Sequence, residues 1–177
     1  MRDFLAAYES AGIDHRHTDP RTRKTKTYCS DAKGGECRIL TSNSRRSIES
    51  ARLFFPHIEE TTGDPLYREA ELPARIPVPG LSLPYSVAVA IARSLWMLGL
   101  HQQVESYAMA RARARRAAER LADSATEGGR VVLVGHGFFN RLIGRQLKRA
   151  GWTRAHNEGN GYGASTRFVR RAVTRSS

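Results

Sequence analysis

The stretch 130–147, with the sequence RVVLVGHGFFNRLIGRQL, constrains the fold of this chain more than any other part of it. It contains four apolar residues in a row, Val131 to Val134, with no polar residue between them. Such a run is typical of a strand that is buried on both faces, as parallel strands in α/β proteins are. Two glycines then flank His136, and an amphipathic pattern follows. We therefore predict a buried parallel strand, a sharp turn and a helix.

The turn at Gly135-His136-Gly137 has the properties of an anion site. Glycine allows a sharp backbone turn and a close approach to a ligand. The first N–H groups of the next helix have no intrahelical acceptor, and the helix dipole is positive at that end. A histidine can exchange a proton with a bound anion near neutral pH. Because open α/β sheets bind ligands beyond the carboxyl ends of their strands, we predict a phosphate site at His136. The same tripeptide standing alone would indicate no more than a solvated loop.

Length and composition indicate one globular domain that comprises residues 1–177. Hydrophobic residues make up 40% of the chain, which is enough for a packed core. Lysine and arginine number 29 against 17 aspartates and glutamates, which gives a formal net charge of +12. This excess favours anionic partners, whether phosphorylated molecules, nucleic acid or an acidic surface. Charge alone does not distinguish between them.

The sequence contains no secretion signal and no convincing membrane span, because its most apolar stretch, 81–100, contains Pro84 and Arg93. Two cysteines, Cys29 and Cys37, stand in a polar stretch without histidines at metal-ligand spacing. We therefore predict a cytoplasmic protein with reduced cysteines, no membrane association, no metal site and no organic cofactor. The oligomeric state stays open.

The remaining elements are predicted from periodicity and from helix-breaking residues. We expect helices at about 4–12, 45–55, 84–98 and 102–125, and short strands at 38–41 and 166–173. The segments 14–37, 59–83 and 157–164, together with Gly151, are predicted to be irregular. Helices that alternate with short apolar strands indicate an α/β fold. We predict a three-layer sandwich, with a mostly parallel sheet and helices on both faces.

A second motif, TSNSRRSIESA at 41–51, also begins at the end of a predicted strand and continues into a helix. Ser42 and Ser44 supply oxygens that can cap this helix. Arg46 falls in its first turn, near the carboxyl end of the strand. A guanidinium in this position can bind a phosphate through two parallel hydrogen bonds. The alternative is that Arg45 and Arg46 are ordinary surface charges.

Together the two motifs resemble those of the histidine phosphatase superfamily, also called phosphoglycerate mutase-like. Members carry a pattern close to S-S-P-L-x-R-A-x-x-T-A after the second strand, similar to 41–51 here, and a late apolar strand that ends in G-H-G. Between the two, members place an acidic residue in a turn flanked by leucine or arginine. Leu66-Tyr67-Arg68-Glu69 resembles that turn, with Glu71 as the alternative acid. The resemblance covers about three fifths of the chain.

The resemblance implies hydrolysis of a phosphomonoester, or of phosphohistidine, through a phosphohistidine intermediate. By the same resemblance, Arg46 and His136 would hold the phosphoryl oxygens, and Glu69 would act as the acid and base. Further contacts with the ligand are expected from polar groups near these residues: Ser42, the N–H of Gly137, and Asn140. The last of these stands one helical turn after His136, where it would fix the imidazole ring or be a surface amide.

One feature of the family is missing. Its signature is an apolar strand near the N-terminus that ends in Arg-His-Gly, and the histidine of that strand is the nucleophile that receives the phosphoryl group. No such strand precedes Thr41. Arg16-His17-Thr18 is similar only superficially, because residues 10–15 lack a strand pattern and the opening helix comes before it. We therefore expect a chain that is N-terminally truncated relative to the family and that lacks phosphatase activity as given.

Two other functions stay open. The first is that of a non-catalytic relative, which binds a phosphorylated ligand through Arg46 and His136. The second is nucleic-acid binding, suggested by the net charge and by the arginines of the predicted helix 102–125, namely Arg111, Arg113, Arg115, Arg116 and Arg120. These arginines spread round the helix and have a single aromatic neighbour, Tyr107, so base stacking is not indicated. The partner that we expect is a phosphorylated small molecule or a phosphoprotein.

Overall fold

The computed structural model describes residues 37–56, 63–72, 84–101, 103–159 and 163–170. In chain order, its elements are β1 (Cys37–Ser42), α1 (Arg45–Phe54), β2 (Gly63–Asp64), a 3₁₀ turn (Pro65–Tyr67), α2 (Tyr85–Met97), α3 (Tyr107–Gly128), β3 (Arg130–Val134), α4 (Gly137–Arg149), β4 (Trp152–Asn157) and β5 (Thr166–Arg170). The predicted opening helix and the loop before residue 37 lie outside the described residues.

Three parallel strands form the main sheet, in the order β2-β1-β3. The chain leaves β1 through α1 and reaches β2 on one side of it, then returns through α2 and α3 to β3 on the other side. Because crossovers between parallel strands are right-handed, two crossovers in opposite directions put their helices on opposite faces. Both α1 and α3 contact the sheet. The predicted α/β fold with a mostly parallel sheet is confirmed, and the three layers follow from the handedness of its connections.

The two sequence motifs meet where the strand order reverses. Thr41 in β1 pairs with Val134 in β3, so the carboxyl ends of these strands lie side by side. The loop after β1 leads towards β2, whereas the loop after β3 leads into α4 on the other side. Connections that diverge in this way leave a crevice, which is where open α/β sheets bind ligands. Ser42 ends β1 and His136 follows β3 by two residues, so both stand at this crevice.

Most predicted elements agree with the structure to within about two residues, which is the usual uncertainty of a helix or strand boundary. This holds for β1, α1, α2, β3 and α4. The helix predicted from residue 102 instead begins at Tyr107 and runs to Gly128, because the side chain of Ser106 caps it by accepting a hydrogen bond from the N–H of Met109. The side chains of β3 after Arg130 are half-buried, not fully buried on both faces as the apolar run suggests.

The main error of the sequence-based prediction concerns β4, where no strand is expected. β4 and β5 form a separate antiparallel hairpin. Five of the six residues of β4 are exposed, so the strand lacks the alternation by which a half-buried strand is recognised. Gly151, with φ at 85°, makes the turn from α4 into β4. β5 confirms the last predicted strand as far as Arg170, and 171–173 lie outside the described residues.

A stripe of small side chains on α3 lets α4 pack closely against it. The stripe consists of buried alanines at helical spacing, Ala110, Ala114, Ala117 and Ala118, and the buried Leu121 follows it on the same face. Phe139, Leu142 and Ile143 of α4 belong to the same buried cluster. Because these contacts begin in the first turn of α4, they fix the start of the helix and with it the position of His136.

Three further observations bear on the sequence predictions. Cys37 takes part in a disulfide bond, so the expectation of reduced cysteines is wrong for this residue. Disulfides persist mainly in oxidising compartments, and the cysteines therefore give no support to the predicted cytoplasmic location. None of the described helices combines the length and the apolarity needed to cross a membrane. Within the described ranges, no three His, Cys, Asp or Glu side chains are arranged to hold a metal ion.

Candidate functional site

A hydrogen bond between Ser42 and His136 joins the two motifs across the crevice. Ser42 Oγ lies 2.9 Å from His136 Nε2, although the residues are 94 positions apart in the chain. The same hydroxyl accepts a hydrogen bond from the N–H of Ser44, at 3.3 Å. Ser42 is fully buried and contacts the imidazole, and the direct contact of Ser42 with a ligand stays a prediction.

Arg46 lies close enough to His136 for its charge to act on the imidazole. Ser44 caps α1 by accepting a hydrogen bond from the N–H of Ser47, which puts Arg46 in the first turn, as the sequence predicts. Burial lowers the pKa of His136, Glu69 raises it, and Arg46 and then Arg113 lower it further. Burial and the two guanidinium charges therefore favour the neutral imidazole.

Glu69 lies at the N-terminus of α4. One carboxylate oxygen, Oε1, accepts hydrogen bonds from the N–H of Phe139 at 3.1 Å and of Ala70 at 2.9 Å. The N-cap residue of α4, His136, makes no capping bond with its own side chain, so Glu69 takes over part of that task. The N–H groups of Gly137 and Phe138 have no intrahelical acceptor, because both residues lie in the first turn of the helix. A carboxylate and two N–H donors thus stand together beside His136.

A buried ion pair holds the segment that carries Glu69. Arg113 forms two bonds with the carboxylate of Glu105, at 2.6 and 2.9 Å, and both side chains are about 5% exposed. The other hydrogens of its guanidinium go to the carbonyl oxygens of Leu66, Arg68 and Glu69, at 3.1, 2.7 and 3.4 Å. Its guanidinium carbon also lies 3.9 Å from the centroid of the Phe139 ring. Arg113 therefore connects α3, the turn before Glu69 and the first turn of α4.

The other predicted site residues are Asn140, Gly137 and Glu71. Asn140 donates its backbone N–H to the carbonyl of His136, and its side chain packs against Gly135. The described hydrogen bond of the imidazole ring is the one with Ser42, and a role of Asn140 in fixing the ring stays a prediction. Gly137 begins α4 with an exposed backbone, as an N–H donor to a ligand requires. Glu71 is half exposed and lies 4.0 Å from Arg68, without a described bond to α4. Of the two candidate acids, Glu69 is the one that reaches the crevice.

Two residues of this region escaped the analysis of the sequence. Arg113 appears there as one of several arginines of the predicted helix 102–125, yet it is 4% exposed. Its position in line with Ala110, Ala114 and Ala117 was the available signal, because it falls on the buried stripe of α3. The second is Arg93, the single charged residue of α2, which donates to the carbonyl oxygen of Ala70 at 3.0 Å and lies over the Phe138 ring. An isolated arginine in an apolar helix was its signal.

Comparison with known proteins yields one family. Residues 88–172 match the model of the histidine phosphatase superfamily (branch 1). This match begins within α2, extends past the end of β5 and contains His136, while Ser42, Arg46 and Glu69 precede it. Neither the curated proteins nor the solved structures include a match to the chain. The match over residues 88–172 confirms the resemblance to the histidine phosphatase superfamily that was drawn from the two motifs.

Proposed function

We propose that this chain binds the phosphoryl group of a phosphomonoester between Arg46 and His136, in a site built for phosphatase chemistry. The observation that carries the proposal is the 2.9 Å bond between Ser42 and His136, because it joins the two motifs at one crevice. The ligand is a phosphorylated small molecule or a phosphoprotein. In the reaction of the family, cations and N–H donors hold the three equatorial oxygens, over which the transition state spreads its charge.

Each residue has a distinct part in this proposal. Arg46 supplies a permanent charge and a pair of parallel donors. His136 is neutral in the empty site and gains a proton when an anion arrives, because the anion offsets the neighbouring arginines. The N–H of Gly137 is a further donor at the positive end of α4. In the reaction of the family, the second carboxylate oxygen of Glu69, Oε2, would face the oxygen of the leaving group, and Glu69 would serve as acid and then as base.

The histidine that would accept the phosphoryl group is the part that the described residues do not provide. His136 is the one histidine among them that stands at the crevice, and Ser42 and Arg46 make it a phosphate ligand in this proposal. His101 follows α2, and His156 lies on the exposed hairpin 3.6 Å from Glu158. We therefore propose binding without turnover for this polypeptide. This agrees with the alternative of a non-catalytic relative that binds phosphate.

Isothermal calorimetry with orthophosphate and with vanadate tests the proposal. Both anions should bind to the wild-type chain, and Arg46→Ala should weaken binding about tenfold or more, as the loss of a charge-assisted hydrogen bond does. Arg45→Ala is the matched control, since Arg45 is the preceding residue but is exposed and paired with Glu49 at 2.7 Å. It should alter the affinity by less than about twofold. Equal losses in the two variants would contradict the proposed site.

An assay with 4-nitrophenyl phosphate tests the absence of turnover. We expect no release of 4-nitrophenol above that of a buffer blank. Turnover that His136→Ala abolishes would show that the chain is a complete phosphatase and that this part of the proposal is wrong.

Nucleic-acid binding is the less favoured function. Three of the exposed arginines of α3 already have partners in the described structure: Arg115 with Glu119, Arg120 with Asp64, and Arg111 with the Tyr107 ring. The two carboxylates offset part of the positive charge that a phosphate backbone would meet, and the ring contact leaves the charge of Arg111 unchanged. Binding of an oligonucleotide that falls steeply with salt concentration would favour this function after all.

A further inference from the structure

The outward face of α2 carries no charged side chain. Its residues stand three or four positions apart and are all exposed, namely Val87, Ala90, Ser94 and Met97. The hydroxyl of Ser94 donates to the carbonyl oxygen of Ala90 at 2.9 Å, so the one polar group of this face is turned back onto its own helix. Arg93, the single charged residue of α2, donates to the carbonyl oxygen of Ala70 instead. α2 therefore presents an apolar surface to the solvent.

The turn after α2 extends this surface with two leucines in a fixed arrangement. Gly99, with φ at 104°, ends the helix, and the N–H of Leu100 donates back to the carbonyl oxygen of Leu95 at 3.0 Å. Trp96 is fully buried, and its indole N–H donates to a carbonyl oxygen of the segment before α3 at 2.7 Å. Although the turn is anchored in this way, Leu98 is 82% and Leu100 57% exposed. We call the outward face of α2 together with these two leucines the apolar ridge.

The surroundings of the apolar ridge are positive. Residues 85–104 contain no aspartate or glutamate, and the carboxylate of Glu105 lies in the buried ion pair with α3 described above. At the end of the ridge, the Tyr107 ring contacts the Trp96 ring, with 5.3 Å between their centroids. The exposed Arg111 places its guanidinium carbon 5.7 Å from the centroid of the Tyr107 ring. An apolar surface with an arginine at its edge thus belongs to a chain with a formal net charge of +12.

We propose that the apolar ridge binds the surface of an anionic lipid membrane, with Leu98 and Leu100 inserted between the lipids and Arg111 among the headgroups. In such a contact, the burial of apolar side chains and the attraction of cations to anionic lipids act together. A second copy of the chain fits the ridge less well, because two molecules of the same positive charge repel each other.

A peripheral contact needs no helix that crosses the membrane. The proposal therefore agrees with the helices of the described ranges, none of which can do so. It replaces the expectation of no membrane association, which was drawn from the lack of a spanning segment. It does not depend on the proposed function, because the apolar ridge includes none of the residues assigned to the phosphoryl site.

Sedimentation with lipid vesicles tests the proposal. The wild-type chain should sediment with vesicles of equal parts phosphatidylcholine and phosphatidylserine, and less with vesicles of phosphatidylcholine alone. The double variant Leu98→Ser, Leu100→Ser should bind the mixed vesicles about tenfold more weakly or less, because it removes the apolar area that enters the lipid. Arg111→Gln should weaken binding about fivefold, the effect of one cation near an anionic surface.

The matched control is Leu53→Ser, which removes an exposed leucine from α1, outside the apolar ridge. It should alter the binding by less than about twofold. Equal losses in the two leucine variants, or no sedimentation of the wild-type chain, would refute the proposal. Equal binding to both kinds of vesicle would contradict the part that concerns anionic lipid.

Light scattering of the chain without lipid distinguishes the other occupant. A dimer that the double leucine variant abolishes would assign the apolar ridge to a second copy and overturn the proposal. Circular dichroism checks that each variant is folded. All variants should bind orthophosphate as the wild-type chain does, so that failure of the lipid contact and failure of the phosphoryl site are separate results.

Discussion

α1 and α4 begin in equivalent places, directly after neighbouring parallel strands, but their first turns are completed in different ways. Ser44 caps α1 with its own hydroxyl, three residues before the N–H that it accepts. The N-cap residue of α4 is His136, whose side chain makes no capping bond. The cap of α4 comes instead from Glu69, 70 positions earlier in the chain.

The start of α1 therefore only stabilises its own helix, whereas the start of α4 also faces the proposed ligand site. A helix whose own N-cap side chain accepts from its first turn satisfies that N–H group locally. The start of such a helix does not depend on a distant part of the chain. A helix that depends on a distant carboxylate holds that carboxylate in place in return. In this way α4 fixes the proposed acid beside His136, while its first two N–H groups stay available to a ligand. The following predictions test this contrast, from the largest expected effect to the smallest.

Arg113→Met should cause the largest loss of stability, because it leaves the carboxylate of Glu105 buried without its main partner. We expect the free energy of unfolding to fall by about 3 kcal/mol, at the lower end for a broken buried pair. The lower end is chosen because Arg68 remains 3.7 Å from Glu105. Urea unfolding followed by circular dichroism measures the loss.

The control for this variant is Arg115→Met, two residues away on the same helix. The side chains of its pair with Glu119 are 75% and 57% exposed, so its removal should cost less than about 1 kcal/mol. A similar loss in both variants would show that Arg113 does not hold the Glu69 segment in the way described.

Glu69→Ala and Ser44→Ala each remove one cap, and comparison of the two tests the contrast directly. Each should lower the free energy of unfolding by about 1–2 kcal/mol, as the loss of an N-cap does. Only Glu69→Ala removes a negative charge beside the anion site, so only this variant should bind sulfate more tightly. We expect about a fivefold gain, the equivalent of one charge interaction of ~1 kcal/mol. An unchanged sulfate affinity in Glu69→Ala would contradict the proximity of the two sites.

The smallest expected effect is the pH dependence that His136 confers. Its pKa is lower in the folded chain than in the unfolded one, whose histidines have values near 6.5, so the unfolded state binds more protons between the two values. Stability should therefore fall as the pH drops below about 6.5, and His136→Asn should remove this part of the dependence. Urea midpoints at pH 7.5 and pH 5.5 for both chains measure the difference.

The affinity for sulfate should also depend on the protonation of His136. Sulfate is a suitable probe because it does not titrate in this pH range itself. Its binding should tighten between pH 7.5 and pH 5.5 in the wild-type chain, since the bound anion favours the protonated imidazole. In His136→Asn the affinity should stay nearly constant. A constant affinity in the wild-type chain would show that His136 does not contact the anion.

The sequence was sufficient where a signal is local. The apolar run before His136, the glycines beside it and the serine before Arg46 each act within a few residues, and they predicted β3, the turn and the start of α1. The resemblance to the family added Glu69, whose place at the crevice depends on chain folding that no local pattern encodes. It also supplied the expectation that the two motifs converge.

The sequence did not predict those features that depend on which elements are neighbours in the fold. Arg113 and Arg115 have the same local surroundings in the sequence, yet the former is buried and the latter exposed, because only one side of α3 meets the turn before Glu69. β4 is exposed and polar, so its strand depends on pairing with β5 rather than on its own pattern. Both features require knowledge of which elements are neighbours.

Gly144, on the buried side of α4, receives the ring of Phe168 from the hairpin, and a methyl group placed there would come within 2.8 Å of that ring. The attachment of β4 and β5 to the rest of the molecule therefore tolerates no added carbon at this position without a shift of the aromatic ring. Since His136 is the N-cap residue of the same helix, position 144 connects the packing of the hairpin with the helix that begins at the crevice, although Gly144 itself lies outside the crevice.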